Sequence, residues 1–154
     1  MKNFLRIIII AMSLTVSVSS CQDDNSRAEE LMVQIRSDFE AGNYAKCLKE
    51  IDSLRTTYPK AIDARKEALI IHQNASLKMA QDHLADVDQR LQALETTCDS
   101  LSAIVELHKQ QGCATAEELQ LLNVSKARRD SLKGIFDVEC SKIRYIHKRQ
   151  QEND

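Results

Sequence analysis

The sequence predicts an all-α chain, and three observations carry that reading. Three glycines and one proline in 154 residues leave almost nothing with which to build hairpin turns or a phosphate-cradling loop. Aromatic residues make up 4% and Trp is absent, so a sandwich core is poorly supplied. From Ala61 to Gln111 there is neither Gly nor Pro, and apolar residues recur at alternating steps of three and four, the spacing of one helix face. The 43% hydrophobic and 29% charged content suits helices that bury narrow apolar stripes. Enzyme folds that depend on Gly-rich loops are disfavoured by the same composition.

The first element is a targeting segment. Met1 to Arg6 carries Lys2 and Arg6, and the apolar run from Ile7 to Met12 continues through Leu14, Val16 and Val18, an n-region followed by an h-region. The run is shorter than the roughly 20 apolar residues that span a bilayer, and it ends in Val18-Ser19-Ser20-Cys21 rather than in charge. A permanent transmembrane helix is therefore not expected. These residues resemble the bacterial lipoprotein signal, whose lipobox of apolar, small, small and Cys directs acylation of the Cys and cleavage just before it. The resemblance implies a signal peptide over 1–20 and a lipid on Cys21 that ties the chain to a membrane. The acidic pair in Gln22-Asp23-Asp24 resembles the export signal of some Gram-negative surface lipoproteins. It implies an outer-membrane, surface-exposed location, with a periplasm-facing one as the alternative. Residues 21–27 read as a polar tether.

Loss of Lys2 and Arg6 with the signal leaves 19 basic residues against 23 acidic ones, a net charge of about −4. Nucleic acid is not an expected partner of such a chain.

The next two elements form a tight helical hairpin over 28–59. Leu31, Met32, Ile35 and Phe39 have helical spacing; Gly42-Asn43 breaks the helix; Tyr44, Cys47, Leu48, Ile51 and Leu54 share one face of a second helix; Tyr58-Pro59 stops it. The run Phe39-Glu40-Ala41-Gly42-Asn43-Tyr44-Ala45-Lys46-Cys47, followed by Ile51, Leu54 and Pro59, resembles the second half of a tetratricopeptide repeat. In that family a Gly-Asn/Asp-Tyr turn opens the second helix and a small residue three positions after the Tyr lets the helices approach. The resemblance covers about residues 27–59 and implies that Cys47 packs as a substitute for Ala, a buried hydrophobe rather than a reactive thiol. It departs in the first helix, where Leu31 replaces the usual large aromatic residue and Ile35 the usual small one. No second full repeat follows, so this unit must pack on something else.

The remainder, 60–154, reads as a long antiparallel coiled-coil hairpin. Leu77, Ala80, Leu84, Val87, Leu91, Leu94, Cys98, Leu101, Val105 and His108 keep strict three-and-four register. An unbroken helix from Ala61 to Gln111 would be roughly 75 Å long at about 1.5 Å per residue. Its earlier part, with Ala64, Ala68, Leu69, Ile71 and Ala75, can cover the preceding hairpin. Gly112 to Thr115 interrupts the pattern, and Thr115 with Glu118 has capping-box spacing, so a second helix starts there. Its stripe runs Leu119, Leu122, Leu132, Phe136, Cys140, Ile143 and Ile146, with a polar stretch between. Folding about residue 113 pairs Val105 with Leu122, Leu94 with Leu132 or Lys133, Leu91 with Phe136, Val87 with Cys140 and Leu84 with Ile143. The layers of Leu101 and Cys98 then face Lys126 and Arg129.

Cys47, Cys98, Cys113 and Cys140 fall too far apart in this arrangement for an intrachain disulfide. Cys113, at the turn, is the expected site of any intermolecular bond. His72, His83, His108 and His147 are scattered; His83 with Asp82 and Asp86 is the nearest approach to a cluster, and aspartates flanking a His on a helix face are ordinarily solvated. No nucleophile-base or paired-carboxylate arrangement falls in a pocket, so no catalytic residue, metal or cofactor is expected. The basic run Lys142 to Arg149 reads either as cations at a helix C-terminus or as a surface for anionic headgroups or an acidic protein.

The expected function is that of a lipid-anchored interaction module that docks another envelope protein. The alternatives are a self-associating spacer, which would be a homodimer, and an accessory or chaperone-like factor in envelope assembly, the last implied by similarity to tetratricopeptide lipoproteins of outer-membrane assembly machines. The expected partner site is the span from Cys98 to Asp130. Leu101, Leu107, Leu121 and Val124 would be its apolar contacts, rimmed by Lys126, Arg128 and Arg129, cations that a two-helix seam does not bury without partners.

Overall fold

The computed structural model describes the backbone of residues 19–152 and the side chains of residues 24–152. It contains four helices, α1 (Ser19–Glu40), α2 (Tyr44–Thr57), α3 (Ile62–Gln110) and α4 (Ala116–Gln151), and no strand among the described residues. The expected signal segment lies outside the described residues except for Ser19 and Ser20, which open α1. The segment 21–27, expected as a tether, is helical. Neither Gly nor Pro interrupts it, and a helix already anchored at Ala28 and Met32 extends backward far more cheaply than it nucleates. The described residues form two compact units that divide between Ser76 and Leu77, inside α3.

The first unit is built on α1 packed against α2. Ala28, Met32 and Ile35 of α1 meet Cys47, Ile51 and Leu54 of α2 and Ala61, Ala64, Ala68 and Ala75 at and after the start of α3. Five alanines and one cysteine among ten core residues let helix backbones approach closely, so the core is thin but fully dry. Leu69, expected on this covering face, is exposed instead, and Ile71 is half-buried. The alanines at 61, 64, 68 and 75 define the buried face, and 69 falls a quarter-turn beyond 68.

The α1–α2 turn is closed by Gly42 at φ 77°, a left-handed conformation that only glycine takes without strain. The Gly42 N–H donates to the Phe39 carbonyl and the Asn43 N–H to the Asp38 carbonyl, the two bonds of a Schellman motif. Phe39 and Tyr44 meet across the turn as a tilted pair, 5.6 Å between ring centroids and 56° between planes. Gly112 repeats the device after α3, at φ 71°, with its N–H on the Lys109 carbonyl and that of Cys113 on the His108 carbonyl.

In the second unit the seam follows the expected register on α3. Leu77, Ala80, Leu84, Val87, Leu91, Leu94, Cys98, Leu101, Val105 and His108 are all buried or half-buried. The α4 side differs from expectation at three positions. Leu119 is exposed and Glu118 takes the inward place; Ser125 is buried where Lys126 was expected, and Lys126 is exposed; Glu139 is buried beside a half-buried Cys140. The reason is a single unbroken alternation of four and three from Glu118 through Leu122, Ser125, Arg129, Leu132, Phe136 and Glu139, which short or paired polar side chains satisfy as well as apolar ones. Contacts of His108 with Glu118 and of His83 with Glu139 fix the two segments as antiparallel.

Candidate functional site

The ionisable side chains in the second unit's seam are each partnered. Glu139, 5% exposed, accepts two bonds from Lys142 Nζ at 3.1 and 3.0 Å and lies 3.1 Å from His83 Nδ1. Burial opposes its ionisation, but the Lys142 and His83 contacts outweigh it and hold the carboxyl below the usual Glu range. Glu118 completes the capping box, accepting from the Thr115 N–H at 3.0 Å while its own N–H donates to Thr115 Oγ1 at 3.2 Å. Its other oxygen is 2.7 Å from His108 Nδ1. The Thr115 N–H, against some burial and aided by His108, keeps this carboxyl low as well. Arg129 is half-buried and donates from Nε and Nη2 to Asp130. The cations expected to weaken the seam therefore do not sit unpaired within it: Arg129 has its carboxylate, and Lys126 and Arg128 are exposed.

What remains outside the seam is one flank of the α3–α4 pair. Arg90, Thr97 and Ile104 recur at sevens along α3, one position ahead of the seam, and Ala93, Ser100 and Leu107 form the next row out. On α4, Leu121, Arg128 and Ile135 form the matching inner row, and Val124, Ser131 and Val138 the outer one. A groove of about 580 Å³ has a floor of Leu94 and Leu132 and takes lining residues from all four rows, so the rows share one side of the unit. Ile104, Leu107, Leu121, Val124, Ile135 and Val138 are 39–62% exposed. Of the expected contact residues, Leu107, Leu121, Val124 and Arg128 belong to this flank, Leu101 and Arg129 to the seam, and Lys126 to the opposite flank. Sequence reasoning missed Ile104, Ile135, Val138 and Ala93. Their signal was present in the same seven-residue spacing, shifted one position from the seam.

Arg90 donates to Asp86 at 3.2 Å, whereas Arg128 has no carboxylate partner among the described residues. The flank thus offers an apolar strip with guanidinium groups beside it.

Elsewhere several reactive side chains are occupied or shielded. Asp38, 5% exposed, accepts from Lys46 at 2.8 Å, Gln34 at 3.1 Å and Asn43 at 3.2 Å, which lowers its carboxyl to about 2. Burial, together with Glu50 and Asp38, pushes the Cys47 thiol up, away from the nucleophilic thiolate. Burial and nearby Arg55 push His72 down, against a smaller opposing effect of Asp52. Cys47 and Cys98 are buried, Cys140 is half-buried and Cys113 is exposed, all as free thiols. Cys21 lies in the first turn of α1, and its side chain is outside the described residues. Among the described residues, no three His, Cys, Asp or Glu side chains are placed to share a metal ion, and no helix is long and apolar enough to cross a membrane.

No family model, curated protein or solved structure matches the chain.

Proposed function

We propose that this chain is a lipid-anchored envelope protein that works as a protein–protein interaction module. In this reading Cys21 carries the lipid, residues 1–20 are removed, and the acidic pair Asp23-Asp24 directs the protein to the outer face of the outer membrane. The α1–α2 turn unit acts as a tetratricopeptide-like hairpin, and α3 with α4 as an antiparallel coiled-coil hairpin that supplies the docking surface. The observation that carries the reading is the continuous row of exposed aliphatic residues, Ile104, Leu107, Leu121 and Val124, on one flank of a pair whose seam is already filled. Soluble helices place such rows where a further helix covers them.

The test is crosslinking in cells from the exposed Cys113 thiol. A heterologous adduct is expected in the wild type, lost in the double variant Leu121→Asp/Val124→Asp and kept in Gln92→Asp. An adduct unaffected by the double variant places the contact elsewhere and overturns the reading.

A further inference from the structure

We infer that the flank groove of α3 and α4 receives an acidic amphipathic helix of a partner protein, packed as the third member of a helical bundle. The inference rests on the interaction-module reading and specifies its partner.

The occupant is a helix because the groove runs between two helices whose backbone bonds are satisfied internally, so neither offers a strand edge to pair with. Its floor is apolar at Leu94 and Leu132, and its walls repeat at sevens, which matches apolar residues at i, i+3/i+4 and i+7 on the incoming segment. Ala93 and Ser131 leave room on either wall for a backbone to approach. From Arg90 to Leu107 the α3 wall rises about 25 Å, the length of a helix of about 17 residues.

The occupant is acidic because of what the walls carry. Across the four rows between residues 90–107 and 121–138 there are two arginines and no carboxylate. Arg128 lines the groove with its guanidinium unpaired among the described residues, and covering it without supplying an anion would strand a desolvated charge. A flanking Asp or Glu on the incoming helix meets Arg128 with bidentate geometry and gives Arg90 a second carboxylate beyond Asp86. A second copy of this chain fits worse. A two-fold contact on this flank sets the same arginine-bearing rows against one another, and the carboxylate that borders the groove, Asp86, is already held by Arg90.

The test uses the purified chain and two labelled 18-residue helices of equal helicity and identical Leu face, one flanked by Glu and one by Lys, titrated by fluorescence anisotropy. The Glu helix should bind in a salt-sensitive manner and the Lys helix at least about tenfold more weakly. Arg128→Glu should lower affinity for the Glu helix about tenfold, and Ile135→Asp should lower it for both helices. Both residues are exposed, so unchanged melting confirms that the fold is intact. Equal binding of the two helices, still sensitive to Ile135→Asp, overturns the acidic partner while leaving the docking reading in place. Binding of neither, with a dimer in sedimentation that Ile135→Asp dissolves, makes the second copy the occupant and overturns the inference. Binding of neither by a monomer, together with a Cys113 adduct indifferent to Leu121→Asp/Val124→Asp, overturns both.

Discussion

Asp38 shows how a single buried carboxylate can organise a turn. It sits at the end of α1, and its three donors come from Gln34 one turn earlier, Asn43 in the turn and Lys46 in α2. Its folded value of about 2 lies below the ordinary 3.8, so the stability it contributes is complete above pH 3.8 and is lost as pH falls toward 2. Glu50 has the opposite sign, since burial and the neighbouring Asp38 raise it and its protonation favours the folded state. In a Glu50→Gln background, Asp38→Asn should therefore lower the melting temperature at pH 7, and the difference should shrink as pH falls from 3.8 through about 2. A difference independent of pH would show that the carboxylate's charge is not what the turn uses. Gly42, in the same turn, takes a left-handed conformation, so Gly42→Ala should destabilise by about 1 kcal/mol even though an added Cβ meets open space.

On the scale of helices, α4 contains a glycine that the fold does not need. An added Cβ at Gly134 meets nothing within 4 Å, and the backbone there is ordinary helix. Gly134→Ala should stabilise by about 0.5–1 kcal/mol, read as a higher melting temperature; a lower one would mean that something approaches this face closely. The α3 register makes a sharper claim. Leu91 is 8% exposed in the seam, whereas Gln92 beside it is exposed. Leu91→Asp buries an unpaired charge and should cost about 3 kcal/mol or more, against less than about 1 kcal/mol for Gln92→Asp. Equal melting temperatures for the two variants would falsify the register.

At the scale of the whole molecule, the two compact units are stabilised by different means. The first has an apolar cluster of ten buried residues with one buried carboxylate, Asp38, at its edge; the second has a narrow seam with His108, Glu118, Ser125, Arg129 and Glu139 along it. Amide exchange should accordingly be slower over Met32–Ile35 and Cys47–Leu54 than over Leu101–His108 and Leu122–Arg129, measured on one sample by mass spectrometry. The reverse order would locate the strongest core in the seam. The lipid anchor also belongs to this scale. Intact-mass measurement of protein from a membrane fraction should show residues 1–20 absent and an acylated Cys21, and Cys21→Ser should remain uncleaved or lose the membrane. A mature wild-type protein with a bare Cys21 thiol would remove the anchor from the proposal.

By itself the sequence determined the all-helical class, the turns at Gly42 and Gly112, the capping box at Thr115 and the α3 seam from Leu77 to His108. All of these rest on interactions between residues at most a few positions apart, where spacing and side-chain type leave little choice. Only the tertiary structure decided which polar residues turn inward on α4 and which apolar ones stay out. Ser125 and Glu139 enter because Leu122 sets a four-and-three alternation and because Lys142 and His83 are at hand, and Leu119 is left out by the same alternation. The pairing of Arg36 with Glu67, 31 residues on, was equally invisible. That Ile104 and Ile135 join Leu107, Leu121 and Val124 on one flank was decided there too, because their common side depends on how α3 and α4 face each other. A local pattern records how a residue is turned about its own helix axis, whereas what covers that residue depends on a segment far away in the chain.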